Sequence, residues 1–298
     1  MNGDDGRAAP KEERQWANAE ADVEADGDSD DRSGALKQFR TATSVSMSPE
    51  LFEKLYLSPK NNIKGNLRAT FGNPSPIGMA GFLLCLTPLS MDLMGWSGAT
   101  GKGVANVGAY LFQGGILMNL GCVLEWILGN TFPAVVFGVY GTFWLAFAAT
   151  LSPSYGAYAF YAPLDAKTPL AGLKAPGFNA GLGFWFLFMG FISLIFFICS
   201  LRTNVCFCVI FFSLVISFGL QTGGSLLSAA DFAANAHHVH QMRVAAGAMT
   251  FVACWSGWYI LFASLLASVD FPIQLRVGDL STVIKGRQER TGRHIRRD

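Results

Sequence analysis

Eight polar side chains stand inside otherwise apolar sequence: Gln113, Asn119, Glu125, Asn130, Tyr140, Thr142, Gln221 and Thr222. A polar group in hydrocarbon costs free energy unless it is paired, so each is a candidate for function. Glu125 is the one carboxylate embedded between two charge-free runs, 103–124 and 126–164. It has a structural reading, capping local backbone groups or pairing with Arg202, and a proton-linked one. Asp92 and Asp231 fall at span ends and read as interfacial. Asn73-Pro74 marks a helix start, with Asn73 as cap and Pro74 as a first residue whose missing N–H has no helical partner to lose. The amides and positive dipole end of that first turn also suit an anion. His237, His238, His240 and Arg243 cluster before the last apolar run, as a solvated polar loop or as a pH-sensitive, anion-attracting or metal-binding vestibule.

Other chemistries lack their residues. No phosphate-cradling glycine loop, triad spacing or metalloprotease helix is present, and Cys206-Phe-Cys208 has neither zinc nor thioredoxin spacing. The expectation is a protein that is not an enzyme, with no catalytic residues, cofactor, metal or nucleic-acid partner.

The elements that must position these residues are membrane helices. Only 14% of the 298 residues are charged, and charge-free runs cover 69–91, 103–124, 126–164, 175–201, 203–230 and 244–269. Each supplies the roughly 20 residues that cross a hydrocarbon core of about 30 Å. The fold class is therefore all-α membrane protein with six transmembrane helices per subunit, predicted near 76–94, 103–128, 131–151, 179–200, 205–228 and 243–268. The short Gly129-Asn130 turn makes the second and third helices antiparallel neighbours. The long loop 152–178 reads as a cap over one mouth or as a plain connector.

Outside this body, residues 1–46 carry 11 acidic and 6 basic residues and few large apolar ones, so a disordered acidic cytoplasmic arm is expected. Residues 47–69 read as an amphipathic surface helix, with Leu51, Phe52, Leu55 and Tyr56 on one face, followed by a basic linker. The transmembrane domain is placed at 70–272 and a basic cytoplasmic tail at 273–298. Lys60, Lys64, Arg68, Arg202 and the tail share one side of a six-span layout, which makes both termini cytoplasmic. Small residues at helix-contact spacing, Gly114-Gly115, Gly177 with Gly181 and Gly219 with Gly223, fit bundle packing or oligomer contacts.

The ordered series Asn73-Pro-Ser-Pro-Ile-Gly-Met79, Gly81-Phe82, Gly114-Gly115, Glu125, Asn130-Thr-Phe132 and Tyr140-Gly-x-Phe-Trp144 resembles the acetate uptake transporter family. That group contains bacterial acetate/succinate-proton symporters and fungal acetate permease and ammonia-export-type proteins. The resemblance implies a multi-pass plasma-membrane transporter of acetate and related monocarboxylates. It further implies proton-coupled symport through a pore in each subunit of a homohexamer, with carboxylate, protons and the lipid bilayer as partners. The alternatives are an ammonia/ammonium exporter or uncoupled anion channel on the same scaffold, and a membrane acetate sensor.

The implied hydrophobic gate is Phe82, Tyr140 and Leu214; the helix start and the residues of the spans themselves offer Asn73, Pro74, Gln113, Thr142, Trp144 and Gln221 as candidate substrate contacts. Phe82, Tyr140 and Leu214 lie nine residues beyond Asn73, Thr131 and Val205 respectively. At 1.5 Å per residue each is about 13 Å deep, near mid-membrane. One departure stands out: family members often carry Gln five residues after the position of Gln113, where this chain has Met118 beside Asn119.

Overall fold

The computed structural model describes residues 71–101, 103–280 and 283–284. The expected acidic arm, the amphipathic surface helix with its basic linker, and the Arg and Lys residues of the tail beyond 284 lie outside the described residues. Among those described, six helices are long and apolar enough to cross a membrane. They are α1 (Ser75–Met94), α2 (Val104–Ile127), α3 (Thr131–Leu151), α4 (Pro176–Ser200), α5 (Val205–Ala230) and α6 (Ala236–Ser268). The only β pairing among them is an isolated antiparallel bridge between Asn204 and Asp279.

Each helix begins and ends for a local reason. Pro74 already has helical dihedrals, and Asn73 Oδ1 accepts from the Ser75 N–H at 3.0 Å, one of the donors a helix start leaves without a partner. Gly95, at φ 74°, closes α1 in the left-handed conformation that glycine adopts without strain. Asn204 caps α5 through its side-chain oxygen, which accepts from Phe207 N at 2.9 Å. In the short α2–α3 turn, Asn130 N donates to Glu125 O at 2.8 Å and Gly129 is left-handed.

Two starts differ from expectation. α4 begins at Pro176 rather than near 179, because proline is pre-set for a first helical turn and Asn179 Nδ2 ties that turn to Leu173 O and Ala175 O. α6 begins at Ala236 rather than 243. Nothing between them breaks a helix, so His237, His238, His240 and Arg243 lie in the opening turns of α6 and not in a loop. The three imidazoles are exposed, and among the described residues no three His, Cys, Asp or Glu side chains converge as metal ligands.

The helices pack in two ways. α1 and α2 approach until backbone meets backbone: a Cβ on Gly81 would sit 2.5 Å from Gln113 O, and one on Gly121 3.0 Å from Gly78 Cα. Small residues permit that closeness where no water drives association. α4, α5 and α6 follow one another in contact, and α6 returns against α1. Across from α3, by contrast, α4 and α5 are met by aromatic rings: Phe143 stacks on Trp185 at 5.0 Å and meets Phe218 edge-on at 5.5 Å. The loop 152–178 folds into short 3-10 turns with Tyr158 buried, and Lys174 Nζ lies over the Phe232 ring.

Past α6 the chain returns to the turn between α4 and α5. Val205 N donates to Gly278 O, Leu280 N donates to Thr203 O, and Arg202 Nε donates to Ile284 O. Val277 is buried in that contact.

Candidate functional site

Phe82, Tyr140 and Leu214 all point into the bundle, at 5%, 3% and 2% exposure. Phe82 and Tyr140 meet, with ring centroids 5.9 Å apart. On α5 the ring that faces Tyr140 belongs to Phe211, stacked at 6.5 Å and 15°, while Leu214 is buried about one turn further on. Phe196 of α4 meets the same tyrosine edge-on at 5.8 Å. Tyr140 is thus held by aromatic rings from three neighbouring helices.

On the flank where α1, α3 and α5 begin, these rings close one end of a chamber of about 30 Å³. That is room for about two water molecules. Its walls include Met79, Met118, Phe132, Phe137, Phe207 and Ile210, and the hydroxyls among its lining residues belong to Tyr140 and Thr203. Both hydroxyls are engaged. Tyr140 Oη lies 2.8 Å from Ser193 Oγ, which itself donates to Met189 O at 2.6 Å; Thr203 Oγ1 donates to Ser200 O at 2.7 Å. The opposite flank is filled by the cluster of Phe143, Trp185 and Phe218.

Glu125 forms a separate polar site. Fully buried, it accepts from Ser75 Oγ and, at 2.6 Å, from Asn130 Nδ2. The group that meets the start of α1 is therefore the protein's own carboxyl, tied to Ser75 and Asn130. Arg202, the basic residue that could have paired with it, donates instead to the strap at Ile284.

The remaining sequence-derived candidates are not gathered at Tyr140. Asn73 is half-buried and uses its oxygen as a helix cap, and Pro74 is buried beside it. Thr142 is exposed, its hydroxyl donating to Gly138 O and Val139 O of its own helix. Trp144 is buried one turn beyond Tyr140 and stacks on Tyr110 at 4.9 Å. Gln113 is half-buried in a π-helical stretch of α2, Tyr110–Leu117, and its carbonyl contacts Gly81. Gln221 is half-buried on α5, seven residues and so about 10 Å beyond Leu214.

Three residues at the centre escaped the sequence reading. Phe211 shares a helix face with Leu214, and Thr203 stands just ahead of α5. Ser193 is a lone hydroxyl in Phe-Ile-Ser-Leu-Ile, a position where serine ordinarily bonds only its own helix carbonyl. Its second neighbour, Tyr140, is 53 residues away and visible only in three dimensions. Met118, noted as a departure, lines the chamber, whereas Asn119 turns back to donate to Gly115 O.

Comparison with known proteins bears on this arrangement. The chain is 46% identical over 240 residues to Protein alcS of Aspergillus fumigatus, covering 80% of this chain and 86% of that one. It is 33% identical over 211 residues to the acetate transporter protein patA of Aspergillus clavatus, covering 70% and 79%. Among solved structures it is similar to the bacterial acetate channel SatP, at 26% identity and a TM-score of 0.53, over 70% of this chain and 99% of that one. Residues 57–282 match the model of one family across all six membrane helices and the returning strap, so this multi-pass membrane protein belongs to the GPR1/FUN34/yaaH family.

Proposed function

We propose that this protein carries acetate and related short monocarboxylates across the plasma membrane, by a path inside each subunit and with a proton accompanying each anion. The observation that carries this reading is the meeting of Phe82 and Tyr140 in the bundle centre beside a small, nearly apolar chamber. A bare carboxylate entering such a place loses its hydration at prohibitive cost, so either placed donors or a proton must compensate. The narrow bore selects short acids, and apolar rings that dewet it keep the path shut to ions in bulk.

The excess of Lys and Arg at the end where α1, α3 and α5 begin supports a cytoplasmic chamber and cytoplasmic termini. Passage outward requires the Phe143, Trp185 and Phe218 cluster to move. A homohexamer is the assembly we infer from the resemblance. The exposed apolar residues of α2 and α4, among them Phe112, Ile116, Phe188 and Phe191, face lipid or neighbouring subunits in it.

Labelled acetate uptake into proteoliposomes tests the reading, with and without a pH gradient and after subtraction of protein-free vesicles. Uptake above that background, accelerated by an inward proton gradient, is expected. Phe82→Ala should raise uptake of acids one or two carbons longer by roughly tenfold relative to acetate, the scale of a methylene's discrimination in an apolar pocket. Unchanged selectivity in that variant would remove Phe82 from the gate.

A further inference from the structure

We propose that Arg243 of α6 and Gln221 of α5 form an oxyanion site at the end of the bundle away from the chamber, where a substrate carboxylate is held as the anion before it meets the cluster of Phe143, Trp185 and Phe218. The inference rests on the transport reading and deepens it.

The packing of α5 on α6 brings the two residues to one level. Ser217 Oγ donates to Ala246 O at 3.2 Å, and a Cβ on Gly224 would lie 3.9 Å from Val239 Cγ1. These two contacts mark the stripes along which the antiparallel helices touch. Gln221 lies four residues after Ser217 and three before Gly224; Arg243 lies four after Val239 and three before Ala246. Such steps stay on one helix face, so both residues fall on the shared stripe, midway between the contacts. Val239 and Ala246 are buried, which turns the stripe carrying Arg243 to the bundle and not to lipid. Phe218 of the aromatic cluster stands about one turn before Gln221.

Among the described residues neither side chain has a hydrogen-bond or ionic partner. The carboxylates of that end are Asp92, Asp165 and Asp231, and none is within ion-pair distance of Arg243. Asp231 Oδ1 accepts instead from the Ala233 and Ala234 amides, each at 2.9 Å. A half-buried guanidinium without a counterion bears a desolvation cost that an arriving oxyanion offsets. Its planar fork matches both oxygens of a carboxylate, and the Gln221 amide adds a neutral donor. An ammonium ion is repelled by the same charge, so this end of the bundle favours the carboxylate as passenger.

Initial rates of labelled acetate uptake into proteoliposomes holding the full chain test this, with methanesulfonate, an anion of similar shape that stays ionised, as competitor on both faces. In the unmodified protein methanesulfonate should raise the half-saturating acetate concentration and leave the maximal rate alone. Tetramethylammonium chloride at equal ionic strength, which offers the fork no pair of oxygens, should do neither. Without competitor, Arg243→Gln should raise half-saturation by about tenfold or more, the scale of a hydrogen bond to a charged group, and it should abolish the competition. Gln221→Leu should raise it about fivefold, the scale of a neutral hydrogen bond. Arg243→Lys keeps the charge without the fork and should fall between the unmodified protein and Arg243→Gln. Uptake by the unmodified protein that is indifferent to excess methanesulfonate overturns the proposal and needs no variant. An Arg243→Gln protein with the unmodified size-exclusion profile and unchanged half-saturation overturns the role of Arg243; loss of co-purified phospholipid from that same protein would assign the guanidinium to a headgroup phosphate. Flux without competition removes this site and leaves the transport reading standing, whereas absence of protein-dependent flux sinks both.

Discussion

Two buried sites in this bundle are built in opposite ways, one around hydrogen bonds and one around apolar surface. At the start of α1, Glu125 is a carboxyl group met by two donors, Ser75 Oγ and Asn130 Nδ2. At mid-bundle, the hydroxyls of Tyr140 and Thr203 are each taken up by another protein oxygen, and the chamber beside them is walled by apolar surface. The first arrangement fastens the α2–α3 turn to α1. The second suits nothing permanent. Burying a polar group is tolerable when its partner is always present, and a path for a transient passenger must therefore leave its own atoms satisfied when empty. The backbone follows the same division, with glycine contacts closing α1 on α2 and aromatic rings holding α3 away from α4 and α5.

The largest effect should come from breaking the donor-ringed site. Glu125→Ala strands buried donors on Ser75 and Asn130 and should lower stability by about 3 kcal/mol, read as a fall in the detergent melting midpoint and in yield of folded protein. Glu125→Gln is the sharper variant. Its amide opposes Asn130 Nδ2, so the midpoint should drop while the pH slope of acetate uptake stays as it was. The converse, a flattened pH profile with an unchanged midpoint, would make Glu125 the proton carrier and reverse the comparison.

An intermediate effect is expected from Met118→Gln, which places an amide donor among the chamber walls. Acetate uptake should change by only a few-fold, because the amide is free to bond Gly115 O or other carbonyls of its own helix. Loss of all flux without loss of folding would instead show that the chamber tolerates no polar side chain. Thr203→Val is the smallest perturbation. It removes one acceptor and a local bond to Ser200 O worth about 1 kcal/mol, so acetate flux should change by only about twofold and its pH slope not at all. A shift in that slope would mean that Thr203 does more than line the wall.

Legibility from sequence divides along the same boundary. Six helices were readable because a bilayer forbids charge over some 20 residues, and the runs between charges are that long. The α2–α3 turn was readable because Gly129-Asn130 leaves no slack. The start of α6 was misplaced by seven residues, because hydropathy marks where apolar sequence begins and not where a helix does. Phe82 and Tyr140 were named through a motif resemblance, and their shared depth follows from counting residues. Thr142 and Gln221 were chosen for polarity alone, a property that cannot tell a helix face turned to the bundle centre from one turned outward.

What the chain determined by itself is the solvent each segment must meet: long uncharged stretches can only be helices in lipid, since an unpaired backbone group there is too costly. What only the tertiary structure decided is which polar groups meet. The Tyr140 hydroxyl meets Ser193 Oγ at 2.8 Å, and that serine also donates to Met189 O. Hydrogen bonding is short-ranged and directional, so its partners are fixed by neighbours that the fold brings together and the sequence holds far apart.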